Sequence, residues 1–457
     1  MATLENQQSV YCPALFLTAP ASGQGKTTVT AALARMLKRQ GKVVRVFKTG
    51  PDFLDPQILA QASGEHVEQL DLWMAGENYC RYQFYQAAKE ADLIIVEGAM
   101  GMFDGDPSSA DLAATFNIPM AIVMDVKGMA QTAAAIAMGL ANYRDDVKIA
   151  GLIANSCSTE RHRQLIEDAL PEKLPLLATL ARSEAVALPE RHLGLVQASE
   201  VRDELELRFE AGADWLVDAG LENILERFVN VEFKPAQLPI EKPLLKNKTI
   251  AVAKDEAFSF IYQANLLILA ELGADVKFFS PLHDDEIPAA DALWLPGGYP
   301  ELHAEKLAKN ISMLNSMREF SAQEKPILAE CGGFLYCLED LTDLNDETHV
   351  MANILAGQGA MKGKRGCQGM QTAVFPEGEV RAHAHHRSRS FNMPEALSHG
   401  RRQRHPAPGE AIYRYNNLNA SYLHLFFPSN PKAISCLFDP ELARELIDKE
   451  LTDAVIL

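Results

Sequence analysis

No two of the seven cysteines (Cys12, Cys80, Cys157, Cys331, Cys337, Cys367 and Cys436) stand at CxxC spacing, and their number is odd. That argues against a disulfide framework or a zinc site and for a reducing compartment, so the expected location is cytoplasmic. No apolar run approaches the ~18 residues of a membrane span. Residues 1–10 lack the basic-then-apolar order of a secretory leader. Basic residues are the minority, 43 Lys and Arg against 61 Asp and Glu, for a formal net charge of −18. Such a chain is not expected to bind nucleic acid or an anionic membrane. Repeats and low-complexity segments are also missing. What remains is a chain of 457 residues, 47% hydrophobic and 23% charged. It reads as soluble and globular, and it is too long for one core.

Short apolar runs alternate with helical stretches in the first half. Strands are expected at 14–18, 43–47, 93–96, 120–124 and 149–154, with a helix over 27–40 ended by Gly41. Continuous apolar strands between helices indicate a parallel sheet covered on both faces, a doubly wound α/β arrangement. The pattern restarts with strands at 249–253, 276–279, 292–295 and 327–329 and a helix over 260–272. The intervening 231–248 holds Pro235, Pro239, Pro243 and four lysines, and is expected to be a linker. This divides the chain into 1–230, 231–248 and 249–457. The His-, Arg- and Pro-rich stretch 383–408 is expected to be irregular.

The run TAPASGQGKTT at 18–28 joins the first strand to the first helix. Gly23 and Gly25 let backbone N–H groups curl around phosphates, and the helix N-terminus at Thr27 and Thr28 adds positive potential. Lys26 reaches the terminal phosphates and the Thr27 hydroxyl can hold Mg²⁺. The motif departs from its usual form at Pro20, which replaces the first glycine. Ala21 stands where ATPases that switch a partner or membrane carry an additional lysine.

Carboxylates collect at neighbouring strand ends. FKTGPDFLDP at 47–56 supplies Asp52 and Asp55, and VEGAMGMFDG at 96–105 supplies Glu97 and Asp104. Alone, each acidic turn reads as a solvated loop or a helix cap. Four carboxylates flanking one phosphate loop point to metal or substrate contact. Asn155, closing the fifth strand, can read an adenine edge or cap a turn. Asp125 and Lys127 are equally two-sided.

In the second half, AECGG at 329–333 places Cys331 between a strand and a helix, the pattern of a nucleophile elbow. A thiol exposed at a helix N-terminus is expected to have a lowered pKa. The upstream turn LPGGYPE at 295–301 offers backbone N–H groups, so Gly298 and Gly332 are candidates for an oxyanion hole. His424, in SYLH at 421–424, is the candidate base, with His383, His385 and His386 as competitors. A buried structural thiol and a core histidine are the plainer alternatives. Many class I glutaminases carry His-x-Glu, but position 426 is Phe.

Together with ALPERHLGL at 187–195, DEAFSF at 255–260 and FSPLHD at 279–284, these motifs run in order from residue 18 to 424. The whole resembles the cobyrinate and hydrogenobyrinate a,c-diamide synthases. The resemblance implies a dethiobiotin-synthetase-like P-loop domain followed by a class I glutaminase domain. It implies a ligase that uses ATP, Mg²⁺ and L-glutamine to amidate the a and c acetates of a corrinoid through an acyl phosphate. It further implies that Lys26, Thr27, Asp52 and Glu97 serve nucleotide and metal, and that Asp55, Asp104, Arg191 and His192 serve the substrate. The segment 367–371 and the SYLHLFFPSN ending are closer to the cobalt-free branch. A homodimer is one expectation for the assembly. Competing expectations are cobyric acid synthase, a nickel-sirohydrochlorin diamide synthase, and a regulatory P-loop ATPase with a vestigial glutaminase domain.

Overall fold

The computed structural model describes residues 8–189, 201–238, 242–361 and 368–446. The chain divides into two compact units, Met1–Leu238 and Pro239–Leu457.

The first unit is built on β1 (Val10–Thr18), β2 (Val44–Thr49), β3 (Glu68–Leu70), β4 (Leu93–Glu97), β5 (Met120–Asp125), β6 (Ile149–Asn155), β7 (Leu176–Leu180) and β8 (Asn230–Phe233). The order β3-β2-β4-β1-β5-β6-β7 is parallel throughout. Alternate residues of each strand feed opposite faces. Leu15 and Leu17 join Val46, Ile95, Leu33, Leu205 and Phe209 on one side. Ala14 and Phe16 join Phe47, Ile94, Val96, Phe84 and Phe116 on the other. Because the strands are parallel, their carboxyl ends share one edge, and ligands of open α/β sheets bind there.

β8 pairs antiparallel with the first half of β1, Val10 opposite Phe233 and Pro13 opposite Asn230. Residues 231–233, expected in the linker, are thus part of the sheet. Their alternating burial, with Val231 and Phe233 inward, explains why a prolines-and-lysines criterion missed them. β3 was also missed, because its Glu68 and Gln69 are polar although buried.

The second unit opens with β9 (Thr249–Ala253), β10 (Asp275–Phe279), β11 (Ala292–Leu295) and β12 (Ile327–Glu330). These pair in parallel as β10-β9-β11-β12 and continue into β21 (Leu418–Ser421), again parallel. An antiparallel half follows: β20 (Pro408–Tyr415), β19 (Ser398–Arg402), β16 (Gly369–Phe375), β17 (Gly378–Ala384) and the two-residue β22 (His424–Leu425). A further sheet holds β13 (Asp340–Thr342), β14 (Thr348–Val350), β15 (Gln358–Met361) and β18 (Ser388–Phe391).

The stretch 383–408 is therefore not irregular: it holds the end of β17, all of β18 and β19 and the start of β20. Its charged residues fit because antiparallel strands can keep one face wet. His383, His386 and Ser388 are buried while positions 385, 387 and 389 are exposed. The helix expected over 260–272 begins later, at Gln263. Phe260 is instead bridged to Gly297.

Candidate active sites

In the first unit, β1 runs into the loop at 18–28 and then into α1 (Lys26–Arg39). Gly25 has φ +93°, and a Cβ there would lie 2.4 Å from Asn155 Nδ2, so both conformation and space demand glycine. Asn155 Nδ2 donates to Gln24 O at 3.0 Å, and its Oδ1 accepts from Ser156 N–H at 2.9 Å. Gln24 Oε1 accepts from Asp125 N–H at 2.9 Å. Both ends of the Asn155 amide therefore engage loop backbone. Lys26 Nζ donates to Met100 O at 2.7 Å and to Ala21 O at 3.3 Å. Burial lowers its pKa, and Glu97 partly opposes this.

Thr27 Oγ1 donates to Glu97 Oε1 at 2.7 Å and to Asp55 Oδ2 at 3.3 Å. Between these carboxylates stands Lys48, whose Nζ is 2.6 Å from Asp55 Oδ2, 2.8 Å from Glu97 Oε1 and 3.7 Å from Asp52 Oδ2. The sequence reading did not single out Lys48. Its signal was a lysine near the end of the otherwise apolar strand β2, an unusual place for an ammonium. Asp55, expected on the substrate side, joins Thr27 and Glu97. It begins α2 (Asp55–Ser63), which turns its side chain to the group. Asp52 caps that turn, accepting from Leu54 N–H at 2.9 Å and Asp55 N–H at 3.2 Å. Burial and the like charge of Asp55 push Asp52 up to about 7. Burial acts upward on Asp55 too, but the Lys48 ammonium outweighs it and lowers the pKa.

Asp104 is exposed and closes a turn, accepting from Gly101 N–H at 3.0 Å. Its charge still reaches Lys26. Arg191 and His192 lie outside the described residues. Glu97 is fully buried, and its second oxygen, Oε2, has no hydrogen-bond partner among the described residues. An orphaned carboxylate oxygen beside a threonine hydroxyl and two more carboxylates is a hard-oxygen donor set that fits Mg²⁺.

In the second unit, β12 ends at Cys331, which has φ +46° and ψ −101° before the helix Gly332–Cys337. A non-glycine residue held there is a backbone outlier, a strain of about 1–3 kcal/mol that presents the thiol at a sharp turn. Cys331 N–H donates to Ser421 O at 2.8 Å, tying the elbow to β21. The thiol is not exposed, however: Cys331 is 5% accessible. Burial, then the charge of Glu301, raises its pKa, against the lowering pull of Gly332 N–H. The expectation of an exposed, low-pKa thiol is thus corrected: the thiol is buried and its pKa is raised.

His424 is buried beside it. A Cβ on Gly297 would lie 2.2 Å from His424 Cε1 and 3.3 Å from Cys331 Cβ, so one glycine touches both residues. A Cβ on Gly332 would lie 2.9 Å from Gly298 N, which shows how close the two candidate oxyanion segments run. Burial, then the neighbouring histidines, lowers the His424 pKa well below that of free imidazole. The competitors have other surroundings. His383 stacks on His424 with centroids 4.9 Å apart, and its Nδ1 meets Tyr262 Oη at 2.8 Å. His386 stacks on Tyr422 and meets Glu410 Oε1 at 3.1 Å. His385 is exposed. No helix among the described residues is long and apolar enough to cross a membrane.

Comparison with known proteins matches residues 15–196 to the CobQ/CobB/MinD/ParA nucleotide binding domain. Residues 249–432 match the CobB/CobQ-like glutamine amidotransferase domain. The chain is 48% identical over 429 residues to a hydrogenobyrinate a,c-diamide synthase of Stutzerimonas stutzeri (strain A1501), covering 94% of this chain and 99% of that one. A protein of the same name from Pseudomonas aeruginosa is also 48% identical, covering 94% of this chain and 98% of its own length. A cobyrinate a,c-diamide synthase of Herminiimonas arsenicoxydans is 44% identical, with 92% of this chain and 95% of that one covered.

Proposed function

The chain belongs to the hydrogenobyrinate and cobyrinate a,c-diamide synthases, glutamine-dependent amidating ligases of cobalamin biosynthesis, and from that premise we propose how its two sites divide the reaction and which macrocycle they serve. The substrate is hydrogenobyrinic acid, amidated once at each of its a and c acetates. The observation that carries this is the 48% identity, over nearly the full length of both chains, to two proteins named for that macrocycle.

The glutaminase half occupies 249–457. His424 takes the Cys331 proton, and the thiolate sulfur attacks the glutamine side-chain amide carbon. N–H groups of Gly298 and Gly332 hold the oxyanion while it forms. His424 returns the proton to the departing nitrogen, releasing ammonia. Water then cleaves the thioester to glutamate and the free thiol.

The amidoligase half is the first unit, which includes β8 and runs to Leu238. Backbone N–H groups of Gly23 to Thr28 and the Lys26 ammonium hold the ATP phosphates. Thr27, Glu97, Asp55 and Asp52 would hold Mg²⁺, which when bound neutralises phosphate charge. An acetate oxygen of the substrate attacks the γ-phosphorus and ADP leaves, giving an acyl phosphate. The ammonia nitrogen attacks the acyl carbon, phosphate leaves, and the amide remains after loss of a proton. Lys48 holds the carboxylates in one constellation during these steps, Arg191 and His192 pair with the substrate's own carboxylates, and Asp104 stands near the reacting one.

The test is to supply ATP, Mg²⁺ and glutamine with either hydrogenobyrinic or cobyrinic acid and to follow product mass. Two successive replacements of OH by NH₂ on the cobalt-free acid are expected. Faster turnover of cobyrinic acid would reassign the substrate, and ATP hydrolysis without amidation of either would favour a regulatory ATPase. Cys331→Ser is expected to lose glutamine-driven amidation and to keep ammonia-driven amidation. Failure of ammonia to support Cys331→Ser would overturn the division of labour.

A further inference from the structure

Position 426 carries Phe where many glutaminases carry the glutamate that orients the histidine, yet the strand bearing His424 is held from two sides. β22 is only two residues long, and its registered pairs with β17 are Ala382 with Leu425 and His383 with His424. So short a ladder fixes little on its own. Side chains complete it. Glu330, 2% exposed, accepts from Leu425 N–H at Oε1 (2.9 Å) and from Trp294 Nε1–H at Oε2 (3.2 Å). Asn265, 1% exposed, donates from Nδ2 to Leu425 O (2.9 Å) and accepts at Oδ1 from Phe427 N–H (2.8 Å). Both polar groups of Leu425 and the N–H of Phe427 are therefore spoken for by side chains distant in sequence.

We propose that Glu330 and Asn265 are the positioning residues of the glutaminase base: they fix the backbone from which His424 projects. Glu330 directly precedes Cys331, so one carboxyl group couples the nucleophile elbow to the base strand. Buried backbone groups left without such partners would carry a desolvation penalty in any alternative position, which is why the clamp selects one. A displacement of about 1 Å at the base suffices to cost a large rate factor. The inference rests on Cys331 as nucleophile and His424 as its base.

The experiment uses the full chain and two readouts: glutamine hydrolysis, and the pH-dependent rate at which iodoacetamide alkylates Cys331, followed by mass. Glu330→Gln keeps an acceptor for Leu425 N–H but sets an NH₂ group against Trp294 N–H. Asn265→Asp keeps the acceptor for Phe427 N–H but opposes Leu425 O. Each is expected to lower kcat roughly 10-fold with KM for glutamine changed less than about 2-fold, and Glu330→Ala to lose more than Glu330→Gln. Each is also expected to shift the alkylation pH profile toward that of His424→Ala. Added to His424→Ala, neither should slow alkylation by more than about 2-fold, because a residue acting through His424 has nothing left to act on. Unchanged kcat in both variants, or an undiminished further loss in the His424→Ala background, overturns the proposal; the second outcome would make Glu330 a support of the elbow alone. If His424→Ala itself leaves hydrolysis and alkylation at wild-type rates, it is the Cys–His assignment that fails. Should Glu330→Gln not fold, Asn265→Asp decides the matter by the same readouts.

Discussion

Lys48 is 4% exposed and beside a Glu97 that is fully buried. Burial alone would lower the pKa of such an ammonium, but Glu97, Asp55 and Asp52 outweigh it and raise the value. The group is thus a buried Lys48–Glu97 pair flanked by the half-buried Asp52 and Asp55. Removing one partner of a buried pair typically costs about 3–5 kcal/mol. Lys48→Met is therefore expected to lower Tm in thermal unfolding, with part of the loss regained on adding Mg²⁺, and to lose amidation with ammonia as well as with glutamine. An unchanged Tm would show that the carboxylates find other partners. Glu330 carries a second buried charge question. Burial raises its pKa from 4.5 to about 8, against the pull of Leu425 and Trp294 N–H. The native state then keeps a proton that the unfolded state has released. The stabilisation from this group is complete below about 4.5 and is lost as pH rises to about 8. Glu330→Gln is expected to flatten that decline, which denaturant titrations across the window would measure.

The elements matter through their ends. Both sites sit where a strand stops and a helix starts, and in both a glycine sets the approach. Gly25 makes room for Asn155, and Gly297 makes room for His424 and Cys331. Gly297→Ala drives a methyl group into the imidazole. We expect it to reduce glutamine hydrolysis by about 100-fold or more while ammonia-driven amidation persists. Parallel measurement of glutamate release and ammonia-driven amide formation would check this. Loss of both activities together would instead mean a folding defect beyond the turn.

At the scale of the molecule, the proposed mechanism gives each of the two units one half-reaction, and the two must balance. Each acyl phosphate consumes one ATP and each amide one ammonia. The expected ratio of ADP, glutamate and amide is one each per amidation, measured with glutamine as donor. With ammonia as donor the glutamate disappears and the other two keep their ratio. Excess ADP over amide would show that the acyl phosphate is being hydrolysed before ammonia reaches it.

The sequence by itself determined the glycine-rich loop at 18–28, the sharp turn at Cys331, the Pro-Gly-Gly turn at 296–298 and the succession of apolar strands. These are local: near neighbours set the turn conformations and burial sets the strand pattern. The tertiary structure alone decided what meets what. Lys48 joins Glu97 across 49 positions, Glu330 reaches Leu425 across 95 and Asn265 reaches it across 160. It also moved Asp55 to the Thr27 group, buried the Cys331 thiol and turned 383–408 into sheet. Such pairings follow from strand order and register, which place distant residues side by side, and no local pattern encodes them.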